Sequence, residues 1–232
     1  MHLETITMSD FKKQKKATII LPFGSIEAHG THLPLGTDTF IAYALCLKAG
    51  EKTDTIVAPP FYYGVCRSTK AHPGTISISA FALRTLVKDL ISNYVYQGFS
   101  HFLLFSGHAG SLHMAALKEV GEKMVEKELV EKIAILSILD LLDENIGLET
   151  KEDSHAGELE TSLMLYLHPL WVKGEAKEDY PHFPLFLLTK EKIKYWPSAI
   201  WGNPLLATKE KGERFFNYLV KKLIDIIKEI KK

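Results

Sequence analysis

The chain has 232 residues, enough for one domain with a sizeable core and too few for two comfortable ones. Its 28 Lys+Arg balance 28 Asp+Glu, so the charge signature of a nucleic-acid or anionic-membrane partner is missing. No apolar run approaches the roughly 18–20 residues of a membrane span, and the first residues are polar; a soluble, cytoplasmic protein is expected.

Strand and helix signals alternate along the chain. Residues 17–22 form a short apolar, β-rich run, and Thr37 and Asp38 then offer N-caps to a helix over about 39–50, with Ile41, Leu45 and Ala49 at four-residue spacing. Residues 54–59 read as a second strand stopped by Pro59-Pro60, and 74–80 as a half-exposed strand in which Ile76 and Ile78 alternate with Ser77 and Ser79. An amphipathic helix over 81–97 stops at Gly98, and 101–105 is a buried strand running into Ser106-Gly-His-Ala-Gly-Ser111. A helix to about 129, a strand over 133–142 and a helix ending near 167 follow. Residues 169–207, rich in Pro and aromatics, predict long loops with a short hairpin, and a Lys-rich amphipathic helix over about 208–231 closes the chain. The alternation implies α/β: a three-layer α/β/α single domain, 1–232, with a mainly parallel sheet.

Only Arg67, Arg84 and Arg214 are arginines; all other basic residues are lysine, a Lys/Glu-rich composition that fits a heat-loving source. Cys46 and Cys66 lack zinc-finger or CxxC spacing, and free thiols in a reducing compartment are expected.

The chemistry-bearing residues fall in three places. The loop from Pro22 to Asp38 packs Glu27, His29, His32 and Asp38 after an apolar strand, where open α/β sheets bind ligands. Carboxylate and imidazole hold zinc, manganese or iron, so this loop reads as half of a metal site. Glu27 and His29 alternate along an extended segment and face one way. Asp38 can bridge two ions or simply cap the helix; His32 reads as a supporting histidine. His108 follows the most apolar strand, between glycines that let backbone approach a ligand. In the third place, Glu160 shares a helical stripe with Ala156, Leu163, Met164 and Leu167, whereas Glu158 falls beside Ser154, Thr161 and Ser162. A carboxylate on an apolar stripe is costly unless paired or metal-bound, so Glu160 is the candidate for chemistry and Glu158 a first-turn charge on the helix dipole. His155, at the helix start, is placed to act as general acid or base. There is no G-x-S-x-G, P-loop or G-x-G-x-x-G motif. The stretch from Gly64 to Gly74, with Arg67, Ser68 and Thr69, reads as a plain loop with weak anion-binding character.

With these residues in view, the chain resembles the creatininase (creatinine amidohydrolase) family. The carriers are Gly24-Ser25-x-Glu27-x-His29-Gly30-x-His32-Leu33-Pro34-x-x-Thr37-Asp38, Pro73-Gly74-Thr75, Gly107-His108-x-Gly110 and His155-Ala156-Gly157-x-x-Glu160-Thr161-Ser162. The resemblance implies a homo-oligomer, a hexamer in the usual case, and a hydrolase with two divalent ions (Zn, Mn or Fe(II)). It implies that Glu27 and His108 hold the first ion, His29 and Glu160 the second, and that Asp38 bridges them. Glu160 stands in for a metal-binding Glu that creatinine amidohydrolase has at the position of Gly110. A hydroxide held between ions about 3.5 Å apart would attack a small-molecule C–N carbonyl, in a cyclic amide or formamide, with His155 protonating the leaving nitrogen. Backbone near Gly74, Thr75 and Gly110 is expected to position substrate, together with Lys151. Lys151 occupies the place of a substrate-clamping tryptophan, and Trp171, Trp196 and Trp201 all lie downstream, which argues against creatinine itself. Two alternatives stand beside this reading: a formylaminopyrimidine-nucleotide deformylase, with Arg67, Lys70 and Lys151 as phosphate cations, and a non-catalytic metal- or metabolite-binding protein on the same fold.

Overall fold

The computed structural model describes residues 1–14, 17–184 and 188–232. A short helix α1 (Met8–Lys13) opens the chain, fixed by a reciprocal Thr7–Asp10 capping box. The sheet contains β1 (Thr18–Phe23), β2 (Ile56–Val57), β3 (His101–Ser106) and β4 (Lys132–Ser137), in the order β2-β1-β3-β4 and parallel throughout. Register runs without a slip from Thr18↔His101 to Phe23↔Ser106, so β1 and β3 end level at one edge.

Period-two alternation gives the central strands two apolar faces. Ile20, Leu103 and Phe105 point to a core shared with α2 (Thr37–Thr53), α5 (Glu158–Leu167) and α7 (Lys209–Lys231). Ile19, Leu21, Phe102 and Leu104 point to the opposite core, closed by α3 (Ala80–Tyr96) and α4 (Ser111–Glu126). The result is three layers around one parallel sheet. Helix α7 buries Phe215, Leu219, Leu223, Ile227 and Ile230 on one stripe and starts at Thr208, whose side chain accepts from the Lys211 N–H.

Several sequence expectations change in extent. The expected strand over 74–80 is reduced to one antiparallel bridge, Ile26↔Ile76, because Ser79 turns the chain into α3 by capping the Ala82 N–H at 3.0 Å. Strand β4 stops at Ser137 rather than near 142. Asp140 there accepts from both the Ser137 N–H (2.7 Å) and its hydroxyl (2.8 Å), opening a 3-10 turn, Ile138–Leu141. Between 169 and 207 the described residues hold the short helix α6 (Lys192–Tyr195) and two 3-10 turns, Pro169–Trp171 and Pro204–Leu206. No hairpin forms among them; residues 185–187 of that expected segment lie outside the described residues. Isolated bridges Asp179↔Gly202 and His155↔Trp201 tie the segment down instead.

Candidate metal centre and active site

The loops leaving β1 and β3 meet the N-terminus of α2 at the C-terminal edge of the sheet, where ligands bind in open parallel sheets. The approach is tight. A Cβ on Gly107 would lie 2.1 Å from the Asp38 carbonyl oxygen, so only glycine lets the β3 loop press against α2 there. That contact sets the next residue, His108, with Nδ1 2.6 Å from Glu27 Oε1 and 3.3 Å from Asp38 Oδ2. On the other side of Asp38, His29 Nε2 lies 3.0 Å from Oδ1 and 3.7 Å from Glu160 Oε2. Asp38 therefore touches both histidines through different oxygens. Its role as a mere helix cap is not what the structure shows, since α2 has no side-chain cap and Asp38 is itself inside the helix.

The outer nitrogens of both imidazoles face carbonyls. His29 Nδ1 donates to Glu27 O at 3.0 Å, and His108 Nε2 donates to Val65 O at 3.2 Å. In neutral rings this leaves His29 Nε2 and His108 Nδ1 as lone pairs aimed at carboxylates, the tautomers a metal requires. Glu27 Oε1, buried, lies 2.6 Å from His108 Nδ1 and meets no other partner. The nitrogen and oxygen converge closely enough to share one cation. Grouped by distance, His29, Asp38 and Glu160 place donor atoms within 4.8 Å of one another, as do Glu27, His29 and His155, and Glu27, Cys66 and His108. These nitrogen and oxygen donors, with the Cys66 sulfur in one group, suit a divalent ion, so the residues present fit the metals that the sequence motif implies.

The electrostatics carry the same imprint. Burial alone would depress the His29 imidazole, but Asp38, Glu160 and Glu27 around it raise it to about 10. Burial pushes the Glu160 carboxyl up to about 8, against the pull of His29 and with Asp38 adding to the rise. Asp38 is held well below the carboxylate range because the two histidines outweigh its burial.

Supporting groups hold these ligands. The Ser25 hydroxyl donates to Asp38 Oδ2 at 2.7 Å, and the Thr69 hydroxyl donates to Glu27 Oε2. Ala156 takes a positive φ of 50°, a conformation that costs a non-glycine residue energy, and its N–H reaches Glu160 Oε2. His155 Nε2 donates to Ala28 O at 2.8 Å, and its ring lies 4.2 Å from that of His29. Burial, with help from His29, lowers it to about 4, so it is neutral. His32 joins none of the donor groups; its Nε2 meets the Thr161 hydroxyl at 2.8 Å.

Beside the cluster is a cavity of about 210 Å³, with Glu27, Asp38, His108, Gly110, His155 and Glu160 in its wall. Gly74, Thr75 and Lys151 are outside that wall. Thr75 instead accepts the Ala28 N–H at 2.9 Å and braces the loop between Glu27 and His29. Lys151 lies on a separate groove with Glu149 and Glu178, whereas Ser154, whose N–H bonds to Trp201 O at 2.9 Å, lines the cavity. Of the three proposed phosphate cations, Arg67 alone reaches the wall. Glu158 is the first-turn charge of α5 that its position suggests, and it is also buried: it accepts from the Glu149 and Thr150 N–H groups at 2.9 and 2.8 Å and from Lys211 Nζ at 2.8 Å.

Sequence reasoning missed Phe183, Trp196 and Trp201, which form an aromatic wall. They come from the segment without periodicity, and nothing in their spacing signals convergence. It also missed Cys66 and Thr69, whose neighbourhood read as a plain loop.

An open parallel α/β sheet carrying buried imidazoles and carboxylates at its C-terminal edge is the arrangement of a divalent-metal site. A family model described as creatinine amidohydrolase matches residues 4–227, and the chain belongs to this creatininase family of hydrolases. It is 30% identical over 225 residues to the mycofactocin precursor peptide peptidase of Mycolicibacterium smegmatis, covering 90% of this chain and 84% of the relative. To the creatinine amidohydrolase of Pseudomonas putida it is 26% identical, covering 91% and 88%. A crystal structure of creatinine amidohydrolase superposes with a TM-score of 0.88 at 22% identity, covering 98% of this chain and 96% of that one. A manganese form of creatininase aligns with a TM-score of 0.86 at 22% identity, and a zinc–zinc form of a variant with 0.86 at 23%; each covers 98% of this chain and 97% of the other. These structures share the fold.

Proposed function

We propose that this protein is a dinuclear metal-dependent amidohydrolase that opens a C–N bond other than a peptide bond, in a cyclic amide or formamide of small size. The observation that carries the reading is the buried pair of histidines flanking Asp38. Each is tautomerically set by a backbone carbonyl, and Glu27 Oε1 lies against His108 Nδ1 at 2.6 Å with no other partner. Glu27 and His108 would hold one ion, His29 and Glu160 the other, with Asp38 shared. Zinc and manganese are the leading metals, given this donor set and the metal forms of the similar structures.

Bound ions supply Lewis acidity: a water nucleophile at neutral pH and stabilisation of the charge that develops on the attacked carbonyl oxygen. The protein does the rest. The cavity wall of Phe183, Trp196 and Trp201 excludes water from one side and offers flat apolar faces to a planar substrate. His155, with Nε2–H committed to Ala28 O, has Nδ1 free to take a proton and pass it to the departing nitrogen. Ser25, Thr69 and the Ala156 N–H keep the carboxylates from rotating during turnover.

The cavity, about 210 Å³, has room for a compact molecule. Arg67 in the wall supports the deformylase alternative, in which a substrate phosphate is recognised. Screening cyclic amides, formamides and short peptides with zinc, manganese and iron(II) tests the main reading. Turnover of a cyclic amide or formamide, abolished by chelator and by Glu27→Gln, supports it. Turnover of peptides alone contradicts it. Inhibition by inorganic phosphate would favour the nucleotide substrate.

A further inference from the structure

The two cysteines are both buried and free, yet they sit in unlike surroundings. Cys46 packs in the apolar core under α2 with Leu45, Ala49 and Val57, as a small hydrophobe does. Cys66 belongs to neither apolar cluster. Its thiol stands with Glu27 and His108, each offering a donor atom within 4.8 Å of the others. The surrounding backbone is fixed at several points. The Val65 carbonyl accepts His108 Nε2–H at 3.2 Å, the Val65 N–H reaches His113 Nδ1 at 3.3 Å, and the Cys66 N–H reaches the Ser77 hydroxyl at 3.0 Å. The segment that orients the His108 ring therefore also delivers the sulfur. Buried Glu27, only 2% exposed, directs Oε1 into the same space, with His108 Nδ1 at 2.6 Å and no other partner.

We infer that Cys66 is a thiolate ligand of the first ion, completing a Glu27–Asp38–His108–Cys66 set. This rests on the two-ion reading and adds an asymmetry to it. The first position contains sulfur and is suited to zinc or cobalt. The second, built from His29, Asp38 and Glu160, has only nitrogen and oxygen and tolerates manganese. Binding displaces the thiol proton to solvent, since a coordinating thiol is deprotonated outright.

Cobalt(II) titrated into metal-free full-length protein tests the assignment. Cys66 coordination gives an intense near-ultraviolet sulfur-to-cobalt charge-transfer band that saturates at one equivalent. The band persists in Cys46→Ala and vanishes in Cys66→Ser, which also loses tenfold or more of its zinc-over-manganese preference at that position. Cobalt bound with d–d bands but no charge-transfer band in the wild-type protein overturns the role of Cys66 and leaves the two-ion reading standing. A protein that binds no cobalt overturns both. The wild-type spectrum decides even if the serine variant does not fold.

Discussion

Thr69 offers a direct measure of how far the ligand cage depends on its supports. Its side chain is buried, 1% exposed, and its hydroxyl donates to Glu27 Oε2. Thr69→Val keeps the shape and deletes the donor, leaving one oxygen of a buried carboxylate without its partner. A hydrogen bond to a charged group is worth roughly 1.5–3 kcal/mol. At 1.4 kcal/mol per decade this corresponds to about a 10- to 100-fold weaker metal affinity, the range found for outer partners of metal ligands. Competition of the purified protein against a fluorescent zinc chelator reads the change, with circular dichroism melts to show that the variant folds. Thr69→Ser, which restores the hydroxyl, should recover most of the affinity. Zinc binding by Thr69→Val at wild-type strength would refute the reasoning, as would a serine variant no better than the valine one.

Glu160→Gln should lower the bound divalent metal from two toward one per chain while the fold survives; metal analysis still showing two would remove Glu160 from the ligand set. Burial alone would raise the Glu158 carboxyl, but Lys211 and the Thr150 and Glu149 N–H groups together hold it below its ordinary 4.5. Its stabilisation is therefore present above about pH 4.5 and lost as pH falls through the lowered value. Glu158→Gln should cost about 2 kcal/mol at neutral pH, with the gap to wild type closing in denaturant titrations below pH 4.5; a gap independent of pH would count against the linkage. Trp196→Phe removes an indole N–H bonded to Ile200 O at 2.7 Å and trims the cavity wall, so KM should rise several-fold with metal content unchanged. A homo-oligomer, expected as a hexamer, should appear in light scattering, covering exposed apolar side chains such as Tyr96 (85% exposed) and Leu170 (86%); a strictly monomeric protein would oppose this.

Much of the fold was legible because the central strands β1 and β3 are buried on both faces. Apolar runs at β1 and β3 admit few other readings, and the long helices carry clear stripes and stops. The errors arose where one polar side chain redirects the backbone, as Ser79 does at the start of α3 and Asp140 at the end of β4. The helical stripe singled out Glu160, which the structure brings to His29, but it gave no sign that first-turn Glu158 is buried against Lys211, distant in sequence and close in space. Gly74, Thr75 and Lys151 belong to, or stand beside, motif segments, and their sequence carries no sign of which face turns to the cavity; the structure places them outside its wall. The aromatic wall was out of reach, since Trp201 is placed by a bridge to His155, Trp196 by its indole bond to Ile200 O and Phe183 by its ring contact with Trp196, not by a periodic pattern.

The central claim is that Glu27, His29, Asp38, His108 and Glu160 form one two-ion centre. Metal analysis of the purified protein, beside the Glu27→Gln and His108→Ala variants, tests it most directly. The account predicts two equivalents of zinc, manganese or iron per wild-type chain, removable by chelator, with the first-site ion lost in both variants. A wild-type protein that binds no divalent metal, or variants that retain both ions, would contradict it.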